Sequence, residues 1–179
     1  MSIKESVLAQ HGADGLRKSA VGLREGEDIF RHFLEGKGYR TVLEIGTYKG
    51  LSAACMAQYV EKVITIDLAN GQLEQAGESF DRQALWNELG VADKIELHLV
   101  SGNKEKAALI ASLDFDFAFI DGAHDESVKC DFEMVRKCGA ALFHDYSETP
   151  GKRNHVKRFV DTLGPVEVKD IFAMWVRPR

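Results

Sequence analysis

Short apolar runs alternate with amphipathic stretches from about residue 40 to residue 163. The runs are rich in Val, Ile, Leu and Phe, which is typical of strands buried on both faces of a parallel sheet. The pattern predicts strands at Thr41–Ile45, Lys62–Asp67, Ile95–Val100, Phe115–Ile120 and Ala140–Phe143, and helices at Leu51–Tyr59, Leu73–Leu89, Lys104–Leu113, Asp125–Arg136 and Lys152–Leu163. Strands that alternate with helices in this way predict an α/β fold with a doubly wound, mostly parallel sheet.

The N-terminal part of the chain differs from this alternation. Apolar residues at helical spacing predict an amphipathic helix at Gly26–Leu34, ahead of the first strand. This helix either packs on the sheet or forms a lid over the ligand crevice, with Arg24 or His32 facing the substrate. We expect residues 1–38 to form this N-terminal helical segment.

The C-terminal segment also differs, because it contains no helical pattern. Pro165–Arg177 predicts two short adjoining strands with a turn near Asp170. An antiparallel hairpin at this point would bring the sheet to seven strands. We therefore expect a single domain overall, in which residues 39–179 carry the sheet and the ligand site.

The composition limits the class of protein. The chain is 45% hydrophobic and carries a formal net charge of −5, which disfavours a surface that coats nucleic acid. It has no apolar run of the length that spans a membrane, and its polar N-terminus lacks a signal core, so we expect a cytoplasmic protein. The three cysteines are an odd number without CxxC spacing, which predicts buried free thiols.

The stretch TVLEIGTYKG at Thr41–Gly50 carries the first chemical signal. An apolar strand enters a glycine turn there, and the next strand ends in Asp67, which follows Gly46 by 21 residues. A carboxylate about 20 residues after such a turn can hold ribose hydroxyls, which predicts an adenosine-containing ligand. Tyr48 stands where dinucleotide sites need a glycine, and no GxxxxGK[ST] loop occurs, which disfavours NAD, FAD and ATP. S-adenosylmethionine has the remaining shape, an adenosine without a pyrophosphate.

Four stretches, in order, resemble motifs of class I S-adenosylmethionine-dependent methyltransferases. EIGTYKG at Glu44–Gly50 resembles their E/D-x-G-x-x-x-G motif, and Asp67 falls at the family's ribose-binding acid. FDFAFIDGAH at Phe115–His124 and ALFHDY at Ala141–Tyr146 resemble the strand-end motifs of the small O-methyltransferases. The resemblance covers about residues 39–146 and implies the Rossmann-like methyltransferase fold.

The resemblance also implies which residues surround the cofactor. The methionine part of S-adenosylmethionine would lie against the glycine turn, the ribose against Asp67, and the adenine between Leu68 and the loop after the third strand. Asn103 stands in that loop where a family member more often has an acid. The implied cofactor-binding residues are Glu44, Gly46, Thr47, Tyr48, Ser52, Asp67, Leu68, Ser101, Gly102, Asn103 and Asp121.

A second group of polar residues follows the fourth and fifth predicted strands, whose carboxyl ends meet at one edge. Paired carboxylates suit a hard divalent cation, which can lower the pKa of a substrate hydroxyl. The resemblance implies Mg²⁺ or another divalent cation at Asp121 and Asp145, although catechol-type enzymes add an asparagine where this chain has Tyr146. Without a metal, His124 or His144 would act as the general base. The candidate catalytic residues are Asp121, His124, His144 and Asp145.

Motifs that the chain lacks narrow the reaction. It has no Asn/Asp-Pro-Pro-aromatic motif of amino-methylating enzymes and no Pro-Cys pair of cytosine-C5 enzymes. We expect methyl transfer from S-adenosylmethionine to an oxygen of a small molecule with a hydroxyl group, and neither a membrane nor a nucleic-acid partner. Two alternatives remain: aminopropyl transfer or cofactor cleavage on the same fold, and a non-catalytic S-adenosylmethionine-binding subunit. A homo-oligomer also remains open.

Overall fold

A single seven-stranded sheet forms the centre of the protein in a computed structural model. The structure describes residues 26–71, 80–123, 125–149 and 152–178. The strands are β1 (Thr41–Ile45), β2 (Lys62–Leu68), β3 (Ile95–Val100), β4 (Phe117–Ile120), β5 (Ala140–Phe143), β6 (Glu167–Lys169) and β7 (Phe172–Val176). Their order across the sheet is β3-β2-β1-β4-β5-β7-β6. The first five strands pair in parallel, and β7 pairs antiparallel with β5 and β6, which confirms the doubly wound α/β fold.

Six helices cover the sheet within the described ranges. They are α1 (Gly26–Leu34), α2 (Leu51–Met56), α3 (Arg82–Glu88), α4 (Asn103–Ser112), α5 (Val128–Val135) and α6 (Lys152–Val160), with short 3₁₀ turns at Ala92–Lys94 and Asp161–Leu163. None of the helices in this described part has the length and apolar character needed to cross a membrane.

The alternation of side chains along each strand separates two apolar layers. Val42 of β1 faces one layer, which also holds buried side chains of α1, α2 and α3. Leu43 and Ile45 face the other layer, with buried side chains of α4, α5 and α6. Because successive strand residues point to opposite faces, Glu44 lies on the same face as Val42, towards α2. The sequence of β1 thus places one carboxyl group inside the first layer.

Several predicted boundaries are wrong because other hydrogen bonds, some of them to distant segments, replace the regular pattern at the ends of the elements. The helix predicted at Leu51–Tyr59 stops at Met56, since the N–H of Tyr59 donates to the carbonyl of Met56, only three residues back, at 2.9 Å. The strand predicted at Phe115–Ile120 begins at Phe117, because the Asp116 carboxylate accepts the backbone N–H groups of Arg40 and Thr41 at 2.9 and 3.0 Å. In both places the apolar sequence pattern extends beyond the hydrogen-bonded helix or strand.

Other differences concern helix starts and cysteine burial. The helix predicted at Asp125–Arg136 begins at Val128, after Asp125 accepts the N–H of Ser127 at 2.8 Å in a turn. The described part of the predicted helix Leu73–Leu89 is α3, and residues 72–79 lie outside the described ranges. The side chain of Asp81 caps α3 by accepting the N–H of Ala84 at 2.9 Å. The three cysteines are free as expected, but one of them, Cys130, is exposed.

The C-terminal hairpin is confirmed. β6 and β7 pair antiparallel, with Lys169 opposite Phe172. The turn between them contains no glycine, and Asp170 supplies the left-handed conformation with a φ of 56°. Aspartate is one of the residues that adopts this conformation most readily, which explains how the turn closes.

Candidate active site

The turn after β1 touches the loop after β4. Gly46 has a φ of 99°, and its N–H donates to the carbonyl of Ile66 at 2.9 Å. The N–H of Asp121 donates to the carbonyl of Ile45 at 2.9 Å, so the two segments continue the sheet side by side. A Cβ atom on Gly46 would overlap the carbonyl group of Asp121, and only glycine fits there. The two sequence motifs therefore meet at the carboxyl ends of β1 and β4, the edge at which a doubly wound sheet forms its ligand crevice.

Glu44 lies beneath this turn and is completely buried. The Ser52 hydroxyl donates to its Oε1, and the Thr65 hydroxyl donates to its Oε2 at 2.5 Å. Thr47 Oγ1 lies 2.6 Å from Thr65 Oγ1, which extends the chain of hydroxyls to the turn. Burial raises the pKa of Glu44 to about 8, because the two hydroxyl donors offset only part of the lost hydration. The carboxyl group thus links β1, β2 and α2 under the predicted donor site.

Asp67 lies at the end of β2 with both carboxylate oxygens fixed by backbone donors. The N–H of Tyr48 donates to Oδ2 and the N–H of Leu68 donates to Oδ1, each at 2.8 Å. Tyr48 adopts a positive φ of 45° in this arrangement. Leu68 is 40% exposed, which is unusual for a large apolar side chain of this protein. The predicted ribose acid and the predicted adenine neighbour are thus adjacent at the surface of the crevice.

Two residues of α3 fasten the glycine turn and were not predicted from the sequence. Arg82 Nε donates to the carbonyl of Tyr48 at 2.5 Å, and its Nη2 lies 3.6 Å from Asp67 Oδ2. Trp86 Nε1 donates to the carbonyl of Gly50 at 2.9 Å, and its ring leaves no room for a Cβ on Gly50. Because these residues follow their partners by 34 and 36 positions, no local motif could have identified them.

Lys49 is a further residue of the turn for which no role was predicted. It is only 5% exposed, although lysine is rarely buried. Its Nζ lies 5.4 Å from the ring centroid of Tyr48 and 5.6 Å from that of Phe80, within the range of cation–π attraction. The turn therefore carries a positive charge held between two aromatic rings.

The loop after β3 lies beside the end of β2, as the predicted adenine site requires. The N–H of Ala69 donates to the carbonyl of Val100 at 2.9 Å. Ser101 donates to Glu105 Oε2 through both its N–H and its hydroxyl, at 2.7 and 2.6 Å, and these bonds lower the pKa of Glu105. Asn103 begins α4. The structure thus brings this loop to the same edge as Asp67.

The structure brings three of the four candidate catalytic residues together. His144 Nδ1 lies 2.6 Å from Asp121 Oδ1, and His144 Nε2 lies 3.8 Å from Asp145 Oδ1. The imidazole is only 1% exposed and packs against the ring of Phe172, with ring centroids 4.9 Å apart. The fourth candidate, His124, lies outside the described residues.

Comparison with known families identifies the domain. The family model described as a methyltransferase domain matches residues 43–146, which extend from β1 through the loop after β5. The matched segment is more than half of the chain and contains both sides of the crevice. The chain belongs to this methyltransferase domain family.

Solved methyltransferases have the same fold as this methyltransferase domain. An O-methyltransferase from Bacillus cereus, in complex with SAH, is 18% identical with a TM-score of 0.71, covering 99% of this chain and 91% of its own. The O-methyltransferase TomG from Streptomyces achromogenes, involved in tomaymycin synthesis and in complex with SAM, is 19% identical with a TM-score of 0.66, covering 96% and 87%. The SAH-bound methyltransferase PaMTH1 from Podospora anserina is 15% identical with a TM-score of 0.67, covering 96% and 84%. No curated protein matches the chain in sequence.

The described residues at the ends of β4 and β5 do not form a donor set that fits a magnesium ion. No group of three or more His, Cys, Asp or Glu side chains in the described ranges is arranged to hold a metal. The imidazole of His144 faces one oxygen of Asp121 and one of Asp145, and its nitrogens are poor ligands for a cation that prefers six oxygens. Tyr146, where catechol-type enzymes have an asparagine, donates its hydroxyl to Asp161 at 2.8 Å instead.

Proposed function

We propose that this methyltransferase domain transfers a methyl group from S-adenosylmethionine to an oxygen of a small molecule that carries a hydroxyl group. The contact between Gly46 and the backbone of Asp121 supports this proposal most strongly. It places the turn that resembles a donor motif against the acid that resembles an acceptor-side motif. The crevice also lies at the carboxyl ends of β1 and β4, where the strand order reverses. Doubly wound sheets bind their ligands at such a point.

The donor side would hold the cofactor through the residues that the motifs predict. Asp67 would accept the ribose hydroxyls, and the exposed side chain of Leu68 would contact the adenine together with Ser101, Gly102 and Asn103. Glu44, Gly46, Thr47, Tyr48 and Ser52 would surround the methionine part. The Bacillus cereus and Streptomyces achromogenes neighbours, which are complexes with SAH and SAM, favour this cofactor.

The acceptor side would supply a proton acceptor. S-adenosylmethionine provides an activated methyl group on a sulfonium, so the protein needs to align the acceptor oxygen and exclude water. A lone pair of the acceptor oxygen forms the new C–O bond as the C–S bond breaks, and the electron pair of that bond stays on sulfur. Asp121 would take the hydroxyl proton, because its side chain is 15% exposed whereas that of His144 is 1% exposed.

Two measurements test the proposal. We expect S-adenosylhomocysteine to bind in a calorimetric titration, and Asp67→Ala to weaken the binding at least about tenfold, since the variant loses charge-assisted hydrogen bonds to the ribose. NADH should give no heat. Transfer of a labelled methyl group from S-adenosylmethionine should then be followed across matched phenols, alcohols, carboxylic acids and amines. Absence of S-adenosylhomocysteine binding would refute the cofactor, and labelling of amines alone would refute the oxygen acceptor.

A further inference from the structure

An imidazole lies between the two carboxylates at the ends of β4 and β5. These strands are neighbours in the sheet, with Ile120 opposite Phe143, so the residues that follow them emerge side by side. His144 presents one ring nitrogen to each acid, at 2.6 Å from Asp121 Oδ1 and 3.8 Å from Asp145 Oδ1. The ring thus occupies the space between the two side chains that the sequence suggested as metal ligands.

The surrounding structure fixes this ring in place. The backbone N–H of His144 donates to the carbonyl of Ile120 at 3.2 Å, which holds the residue against β4. Phe172 of the C-terminal hairpin packs against the imidazole. Asp145, the next residue, adopts a left-handed φ of 61°, which aspartate adopts more readily than most residues. Strand β4 and the C-terminal hairpin thus both contribute to the position of the ring.

The contact between His144 and Asp121 involves Nδ1 of the ring. A carboxylate accepts hydrogen bonds, so a positioning role for His144 requires the ring proton on Nδ1. A buried bond of this kind to a charged partner is short and strong. Nε2 lies 3.8 Å from Asp145 Oδ1, which is longer than a hydrogen bond.

We propose that His144 takes the place of a divalent cation in this domain and positions Asp121, so that methyl transfer proceeds without a bound metal. This inference rests on the proposed function, whose acceptor side contains these residues. His144 is a positioning residue here, because it acts through the carboxylate of Asp121. A cation shared by both acids would need their oxygens to converge within about 4 Å of each other, given its ligand distances of about 2.1 Å. The imidazole blocks that approach.

Manganese binding tests the inference on the full chain saturated with S-adenosylhomocysteine. The electron paramagnetic resonance signal of free Mn²⁺ reports binding without any need for the acceptor. We expect the Mn²⁺ affinity of wild type to be within about threefold of that of Asp121→Asn. Removal of the ring in His144→Ala should raise Mn²⁺ affinity at least about tenfold, and addition of Asp121→Asn to that variant should abolish the gain.

Either of two results would overturn the inference. One is wild-type Mn²⁺ binding at least about tenfold tighter than that of Asp121→Asn, since a true ligand contributes at least that much. The other is His144→Ala without any gain in affinity. His144→Asn, which keeps a donor near the position of Nδ1, should retain the contact to Asp121 and show a smaller gain than His144→Ala.

A spectroscopic measurement keeps the test valid if the alanine variant does not fold. Long-range ¹⁵N–¹H correlation spectra of wild type should show His144 with the proton on Nδ1, and Asp121→Asn should change its nitrogen shifts. A proton on Nε2 in wild type would contradict the inference. S-adenosylhomocysteine affinity is recorded in the same samples, so a failure of the donor site is distinguished from a failure of the proposal about His144.

Discussion

Glu44 carries its carboxyl group inside the protein, where two hydroxyl groups replace water as donors. Its pKa rises from the ordinary value of 4.5 to about 8, mainly because burial disfavours the charged form. Nearby Asp121 and Asp67 raise the pKa further, since they repel a third negative charge. Near pH 7 this carboxyl group is therefore mostly protonated.

We expect Glu44→Gln to remove a pH-dependent loss of stability. A carboxyl group whose pKa is raised by folding stabilises the protein fully below its unfolded pKa, and this contribution disappears as the pH rises through about 8. Urea unfolding between about pH 5 and pH 9 should show wild type losing roughly 4 kcal/mol relative to the glutamine variant. Parallel stability curves for the two proteins would show that Glu44 titrates normally.

The same residue predicts a proton released on ligand binding, provided that the proposed donor site is correct. The ammonium group of S-adenosylhomocysteine near Glu44 and Thr47 would favour the ionised carboxylate. Calorimetric titration near pH 7 in buffers of different ionisation enthalpy should therefore show up to about one proton released. Glu44→Gln is the matched control and should release none. Equal release by both proteins would assign the proton to another group.

At the scale of the secondary-structure elements, a buried ion pair joins α4 to α5. Lys106 Nζ lies 2.5 Å from Asp131 Oδ1, with side chains only 11% and 3% exposed. Asp131 Oδ2 also lies close to Gly122, in the loop that follows Asp121. Burial raises the pKa of Asp131, and the lysine counteracts only part of that effect. The ion pair thus packs against the loop after β4, which contains Asp121 and Gly122.

We expect Lys106→Met to destabilise the protein by about 3–5 kcal/mol, because it leaves an uncompensated carboxylate in the interior. The double variant with Asp131→Leu should recover most of that loss, since replacing both partners removes the unpaired charge. Denaturant unfolding of the single and double variants gives the comparison. Equal destabilisation by the single and the double variant would show that packing, and not the ion pair, accounts for the effect.

The hydrophobic pattern predicted most elements, because apolar residues recur at strand or helix spacing on the face that each element buries. Strand β1 and helix α1 have the predicted bounds, and β4 does not, because Asp116 uses its side chain to bind the backbone of Arg40 and Thr41. Period alone does not reveal such a side-chain contact between residues about 75 positions apart. The element types follow from local sequence, whereas their ends depend on tertiary partners.

Part of the candidate site could likewise be predicted from local sequence, and part could not. Gly46 and Asp67 lie in local motifs, so their place at the sheet edge follows from strand order. The contact of Arg82 with the glycine turn and the position of His144 between two carboxylates arise only when distant segments meet. The catalytic roles of Asp121, His124, His144 and Asp145 stay predictions. The role of α1 as a lid also stays a prediction, since Arg24 lies outside the described residues.

At the scale of the whole molecule, one glycine joins the two halves of the crevice. Gly46 combines a φ of 99° with direct contact to the backbone of Asp121, whereas Gly36 has a φ of 69° with no neighbour near its Cβ position. Alanine at either position forces a left-handed backbone, which costs about 1–2 kcal/mol. Only at Gly46 would the added methyl group also push the β1 turn away from the β4 loop.

We therefore expect Gly46→Ala and Gly36→Ala to differ in their response to ligand. S-adenosylhomocysteine at about 100 times its Kd should stabilise wild type by ~2.7 kcal/mol, which corresponds to a rise in Tm of roughly 5–10 °C for a chain of this size. Gly36→Ala should start from a lower Tm and show the same rise. Gly46→Ala should show little or none, because its donor turn no longer closes against Asp121. A full rise in Gly46→Ala would mean that the close contact between the two loops is not needed for cofactor binding, and the crevice would have to be assigned elsewhere on the sheet edge.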